Sequence, residues 1–366
     1  SEDGEKKIPT YLKSRSHIDL SELIIYNSNL EKLIRAIYGK PLYKKPTLGN
    51  PPSYLNDNVE RKESRVFIDS FLGKRKELLK RESMFFKIFL KDIEKVREIS
   101  FDDYRDYKGN IEKIAKATDI LDEYKNSYVE FLEYYILSAD FDIDEIIYFF
   151  EELFKYSIDN NSGIIIEGKY HHIEFLITEL YIYTCLVLLE GKKYEDLSIL
   201  LDSDYYIKGK ECDFTRLRLP ANILREKEHN RCDCVADLLI SRTVFNGKDY
   251  KKNFINMDLL LFYISVIRNR EKNTQNTDFF KFYHIWYPTT FFYADYEEKI
   301  RSLQKMKSKR HCQNMMKLFG LNSTDELKYN FKNFENLVDL DNYKKYRHTV
   351  PNINYHIPNE EIATKQ

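Results

Sequence analysis

IEFLITELYIYTCLVLLE (173–190) is the most apolar run in the chain, and its reading decides the fold class. A membrane span and the central helix of a packed core share this composition. Glu174, Thr178, Glu179 and Thr184 interrupt the run, and it falls short of the roughly 20 residues that a spanning helix needs. It therefore reads as the central buried helix of a globular core. Glu179 then lies within apolar surroundings, where a carboxylate is costly unless it is paired. Two readings follow: Glu179 meets an Arg or Lys from a neighbouring helix (or reaches solvent at the core edge), or it marks a ligand pocket together with His171 and His172 at the helix start.

Working outward, helical periodicity dominates. Residues 57–100 carry Phe67, Phe71, Leu78, Phe85, Phe89, Ile93 and Val96 at helical spacing, and residues 118–137 repeat the pattern through Leu121, Tyr124, Tyr128, Phe131 and Tyr135. Asp142 is placed to cap the next helix. Segments 193–202, 232–246, 254–270, 278–286, 294–319 and 324–337 also fit a 3.6-residue period better than strand alternation. Alternating runs flanked by Asn-Gly turns are nearly absent, so extended sheet is not expected after residue 60. The expected fold is mainly α, a multi-helical bundle or solenoid-like module over 57–345, followed by an irregular tail at 346–366.

The N-terminal part is different. Residues 8–12 suit one short edge strand, and Leu30, Leu33, Ile34 and Ile37 mark a helix that Gly39 and Pro41 would end. IYGKPLYKKPTLGNPPSYL (37–55) then holds four of the nine prolines. It reads as a semi-rigid connector over 41–56.

The 366 residues carry 58 Lys and Arg against 59 Asp and Glu, a net charge of −1. This gives no global field favouring nucleic acid or an anionic membrane as the main partner. Five cysteines, an odd number, with no signal peptide fit a reducing, cytoplasmic setting. The chain begins SEDGEKK without an initiator Met, as a piece of a longer protein would.

Catalytic signatures are few. Phosphate-loop, dinucleotide-loop, nucleophile-elbow and HExxH motifs are missing. Arg225 and His229 lie only four apart, which is no convincing match to the Arg–His spacing of helical ribonucleases. Arg225, His229, Arg231 and Asp237 remain candidates for a ligand- or nucleic-acid-binding site. Cys212, His229, Cys232 and Cys234 have the chemistry of a tetrahedral zinc set, although Cys232 and Cys234 are separated by one residue; free cysteines at a helix start are the other reading. The aromatic stretch 278–296 around Trp286 reads as a packed corner or a stacking platform. RSLQKMKSKRH (301–311) has five basic residues and no acid, as a solvated face or a phosphate contact would.

IPTYLKSRSHIDLS (8–21) and LEKLIRAIYGKPLYKKPTLGNPPSYL (30–55) resemble the end of bacterial TIR (Toll/interleukin-1 receptor) and related SEFIR domains. The resemblance implies that residues 1–40 are the last strand and helix of a flavodoxin-like α/β domain. It also implies NAD+ cleavage by a Glu that would precede residue 1, so no catalytic residue transfers to this chain. Residues around 169–207, 230–242, 279–296 and 305–328 resemble a helical module found behind effector domains in bacterial antiviral defence proteins. The function implied is the sensing or oligomerisation region of a TIR-type immune effector. NAD+ would be the substrate of the upstream domain, with no cofactor in this chain and no membrane. A homo-oligomer or a partner defence protein, and an unknown infection cue, would be its partners. The alternatives are a helical nucleic-acid- or nucleotide-binding (or hydrolytic) module acting by itself, or a partner-binding scaffold.

Overall fold

The computed structural model of the chain describes residues 26–38, 82–98, 107–158, 169–207, 209–218, 233–271, 284–294, 298–338 and 350–366. The chain divides into two units, Ser1–Glu60 and Arg61–Gln366. In the first, helix α1 spans Tyr26–Ile37 and closes with the Tyr38 amide donating to the Ile34 carbonyl at 3.0 Å. The expected strand at 8–12 and the proline connector lie outside the described residues.

The second unit is mainly α. Helices α2 (Glu82–Val96), α3 (Tyr107–Ile120), α4 (Asp122–Tyr135) and α5 (Ile143–Lys155) precede α6 (His171–Glu190). Asp142 caps α5, its carboxylate accepting from the Asp144 amide at 2.9 Å. Helices α7 (Tyr194–Asp202), α8 (Asp233–Ser241) and α9 (Lys251–Arg268) follow.

Helix α6 is the hub. It packs against α3, α4, α5, α7 and α9, and every residue from Ile173 to Leu188 except Glu174 is buried. At 20 residues it is long and apolar enough to cross a membrane by composition alone, so the expected shortfall in length does not hold. What distinguishes it is that 89% of its apolar window is buried inside the protein. Burial on all sides also explains why it lacks one apolar stripe.

The aromatic richness fills the α2–α4–α5 seam. Phe85 stacks on Phe131 with ring centroids 3.9 Å apart, and Phe149 stacks on Tyr128 at 5.3 Å. Offset aromatic contacts of this kind add to the area they bury.

Two hairpins stand where helix or coil was expected. β1 (Tyr205–Ile207) pairs antiparallel with β2 (Lys210–Cys212), and β3 (Val244–Phe245) with β4 (Lys248–Asp249). The second occupies the end of the segment read as helix 232–246. Asn246 (φ 50°) and Gly247 (φ 73°) form its two-residue loop, as a type I′ turn requires. The Asn-Gly signal outweighed the helical period there.

The expected helix 294–319 is broken into α10 (Arg301–Gln304), a 3-10 turn at Lys305–Lys307 and α11 (Lys309–Leu318). Helices α12 (Thr324–Lys332) and α13 (Phe334–Leu337) follow. The described part of the tail is more ordered than expected. It forms α14 (Ile353–His356), buries Val350, Ile353, Ile357 and Ile362, and exchanges backbone hydrogen bonds with Met306, Lys307 and Lys309 through Ala363 and Lys365.

Asp258 on α9 fixes the aromatic corner. Its Oδ1 accepts from Trp286 Nε1 at 2.7 Å, and its Oδ2 accepts from the Thr290 amide and hydroxyl, both at 2.8 Å. Trp286 is fully buried against Tyr181 and Phe214, so this corner is core. Burial raises the Asp258 pKa, and the three donors oppose that rise. Asp258→Asn would aim an amide donor at one of those donors. It should lower unfolding free energy by about 2–4 kcal/mol, read as a lower denaturant midpoint and loss of the near-UV Trp signal.

Candidate functional site

Two sets of polar groups gather on α6, one sealed and one open. In the sealed set, the Arg242 guanidinium forms a fork with the Glu179 carboxylate, Nε to Oε1 and Nη2 to Oε2, each 2.9 Å. Its Nη1 donates to the Thr118 carbonyl at the end of α3. Lys125, wholly buried on α4, donates to the Arg242 carbonyl and pairs with Asp122 at 3.0 Å. Its ammonium also lies 4.0 Å from the Phe245 ring centre. Two cations thus face two anions. Burial pulls the Lys125 pKa down against the pull of Glu179 and Asp122. Burial pulls hardest on Arg242, but Glu179, Asp122 and Asp119 together outweigh it and leave the guanidinium above its ordinary value.

This geometry gives Glu179 a partner, as the ion-pair reading requires. A bidentate, fully desolvated pair offers no open coordination to a ligand. Removing one member leaves the other charged and buried. Glu179→Gln should therefore cost about 3–5 kcal/mol, whereas Glu179→Leu combined with Arg242→Met should recover most of that loss. Chemical denaturation of Glu179→Gln, and of Glu179→Leu, Arg242→Met and their combination read as a double-mutant cycle, checks this.

His171 and His172 open α6, roughly two helical turns before Glu179. His172 is wholly buried beside the Val96 and Arg97 backbone, and neither ring nitrogen has a well-formed hydrogen bond. His171 is half-buried, 3.8 Å from Glu174. Burial lowers both pKa values to about 4. The unfolded chain would take up these protons near the ordinary 6.5 and the folded chain only near 4. Stability is thus complete above pH 6.5 and falls as pH drops toward 4. His172→Phe should flatten the pH dependence of the denaturation midpoint across that window.

The other candidates are not brought together among the described residues. Asp237 is exposed on α8 and accepts a hydrogen bond from the Tyr293 hydroxyl. Arg225, His229, Arg231 and Cys232 lie outside the described residues, as does the side chain of Cys234. Cys212 is half-buried on β2 with its thiol 3.7 Å from the Lys210 carbonyl. Among the described residues no group of His, Cys, Asp or Glu could hold a metal ion.

The open set was missed as a site in the sequence, although the 301–311 basic segment was its signal. A cleft of about 280 Å³ lies between the end of α6, the start of α7, the first turns of α9, and α10–α11. Leu186, Leu189, Met257, Leu260 and Ile300 form its floor. Lys192, Arg301 and Lys305 complete its lining as cations. Lys192 has φ 59°, a left-handed turn conformation that swings the chain out of α6 into α7. The cleft holds one carboxylate, Glu190, which accepts from Asn253 Nδ2 at 2.6 Å and whose pKa burial raises.

Two histidines tie down the backbone on either side of Arg301. His311 Nε2 lies 2.9 Å from the Ser302 carbonyl. A carbonyl only accepts, so Nε2 carries the hydrogen and Nδ1 faces the Tyr194 hydroxyl at 3.4 Å. His356 receives the Ile300 amide at Nδ1, 3.2 Å, and meets the Tyr263 hydroxyl at Nε2, 2.9 Å; that hydroxyl donates to the Pro351 carbonyl at 2.8 Å. Burial depresses both histidine pKa values, His356 to about 4. They act as neutral struts. Comparison with protein-family models, characterised proteins and solved structures found no match for this chain.

Proposed function

We propose that the chain is the sensing region of a TIR-type bacterial immune effector, and that its helical unit controls NAD+ cleavage by an upstream TIR domain. Residues 8–55 support the TIR part through their resemblance to the end of such domains. One observation carries the sensing part: a cleft on the helical unit holds Lys192, Arg301 and Lys305, cations that do no structural pairing among the described residues. Three cations gathered around an apolar cleft suit recognition of a small anionic ligand. In this reading, occupancy of the cleft favours one arrangement of the helical unit, and the proline-rich connector passes that preference to the upstream domain. The shift it can produce is bounded by the ligand's differential affinity for the two arrangements. Assembly of several copies through the helical unit would bring TIR domains together.

The test compares this chain with a version carrying its natural upstream sequence, each incubated with NAD+ and separately with RNA. NAD+ loss is expected only with the longer chain, and Arg301→Glu with Lys305→Glu should change that loss at least several-fold. RNA cleavage by the shorter chain would favour the independent hydrolytic module instead and overturn this reading.

A further inference from the structure

We propose that the cleft at the end of α6 binds a nucleoside monophosphate-sized ligand, a planar ring carrying a phosphate. This rests on the reading of the cleft as a receptor pocket and names its ligand class.

Size comes first. At about 280 Å³ the cleft sits just below the range of roughly 300–1,000 Å³ common for small-molecule sites, so it suits a small metabolite rather than a polymer. Charge comes second. The Lys192, Arg301 and Lys305 side chains line the cleft and form no hydrogen bond or ion pair among the described residues. The one lining carboxylate, Glu190, is already engaged by Asn253. A dianionic phosphate would satisfy all three cations, and a guanidinium can meet two of its oxygens at once.

The rest of the cleft asks for a ring. Its floor is aliphatic, and the Tyr194 and His311 rings form one wall, edge to face with centroids 5.9 Å apart. Such surfaces accept a flat heterocycle face-on. The Asn256 side chain lines the same cleft with no hydrogen bond among the described residues, so its amide can both donate to and accept from a base edge. A simple inorganic anion would use the cations and leave the floor, the rings and Asn256 idle.

The wall that carries the cations is preorganised. Ile300, just before Arg301, is tied to His356, and Ser302, just after it, is tied to His311. Rigid placement of Arg301 reduces the ordering cost of binding.

The experiment is calorimetric titration and thermal shift on this chain with AMP, GMP, CMP and UMP. Adenosine and inorganic phosphate serve as the ring alone and the anion alone. At least one nucleotide should bind and raise the melting temperature, neither fragment should match it, and raised salt should weaken it. Arg301→Glu and Lys305→Glu, both at exposed positions, should each cut affinity at least about tenfold, with unchanged melting temperature in the absence of ligand. Lys210→Glu on the exposed β2 strand should have no effect. No binding by any of the four, equal binding of phosphate alone, or binding that survives both charge reversals would each overturn the inference. Binding without any effect on NAD+ loss in the longer chain would instead overturn the proposed function and leave this site standing.

Discussion

A carboxylate in the middle of a helix buried on every side must meet a cation inside the core, and Glu179 meets Arg242. That single requirement places the residues after α8 against α6, and with them the β3–β4 hairpin. Arg242 also takes the carbonyl at the end of α3, and its own carbonyl receives Lys125 from α4. The α3–α4 junction, α6 and the residues after α8 are thereby fixed at one point. Apolar packing alone would tolerate small slips of α6 among its neighbours, since hydrophobic contact is non-directional. A bidentate pair desolvated by its surroundings does not tolerate them.

With α6 held at that depth, its far end reaches the surface beside the starts of α7 and α9. Gly191 closes the helix, and a Cβ there would meet the end of the Ile136 side chain at 2.5 Å, so a larger residue would have to push Ile136 aside. Lys192 then turns the chain outward. The α10–α11 part of the lining comes from residues more than 100 positions later, and the C-terminal segment locks it through His356. The cleft is consequently a product of three distant parts of the chain. Its cationic side chains, Lys192, Arg301 and Lys305, take no part in the ion pairs among the described residues.

Much of the helical architecture was legible as periodicity, including α6, the Asp142 cap and the limits of α7 and α9. The breaks were less legible. Residues 118–137 carry an even apolar period, but the chain ends α3 at Ile120 and starts α4 at Asp122. The same period ran through 294–319, where α10 and α11 are separated by a 3-10 turn pinned to the tail by backbone bonds. Backbone bonds to a partner segment leave no mark in side-chain periodicity. The hairpin at 244–249 did leave one, the Asn246-Gly247 pair, which a helix-wide window overrode.

The sequence by itself determined a mainly helical second unit, a core with α6 at its centre, and the need for Glu179 to find a partner. Those follow from burial of apolar side chains at helical spacing and from the cost of a lone buried charge, both local properties of the string. Only the tertiary structure decided which cation answers Glu179, that Trp286 hangs on Asp258, and that Lys192, Arg301 and Lys305 line one cleft. Charge pairing and cleft formation depend on distances between residues far apart in the chain, and those distances exist only once the core has packed.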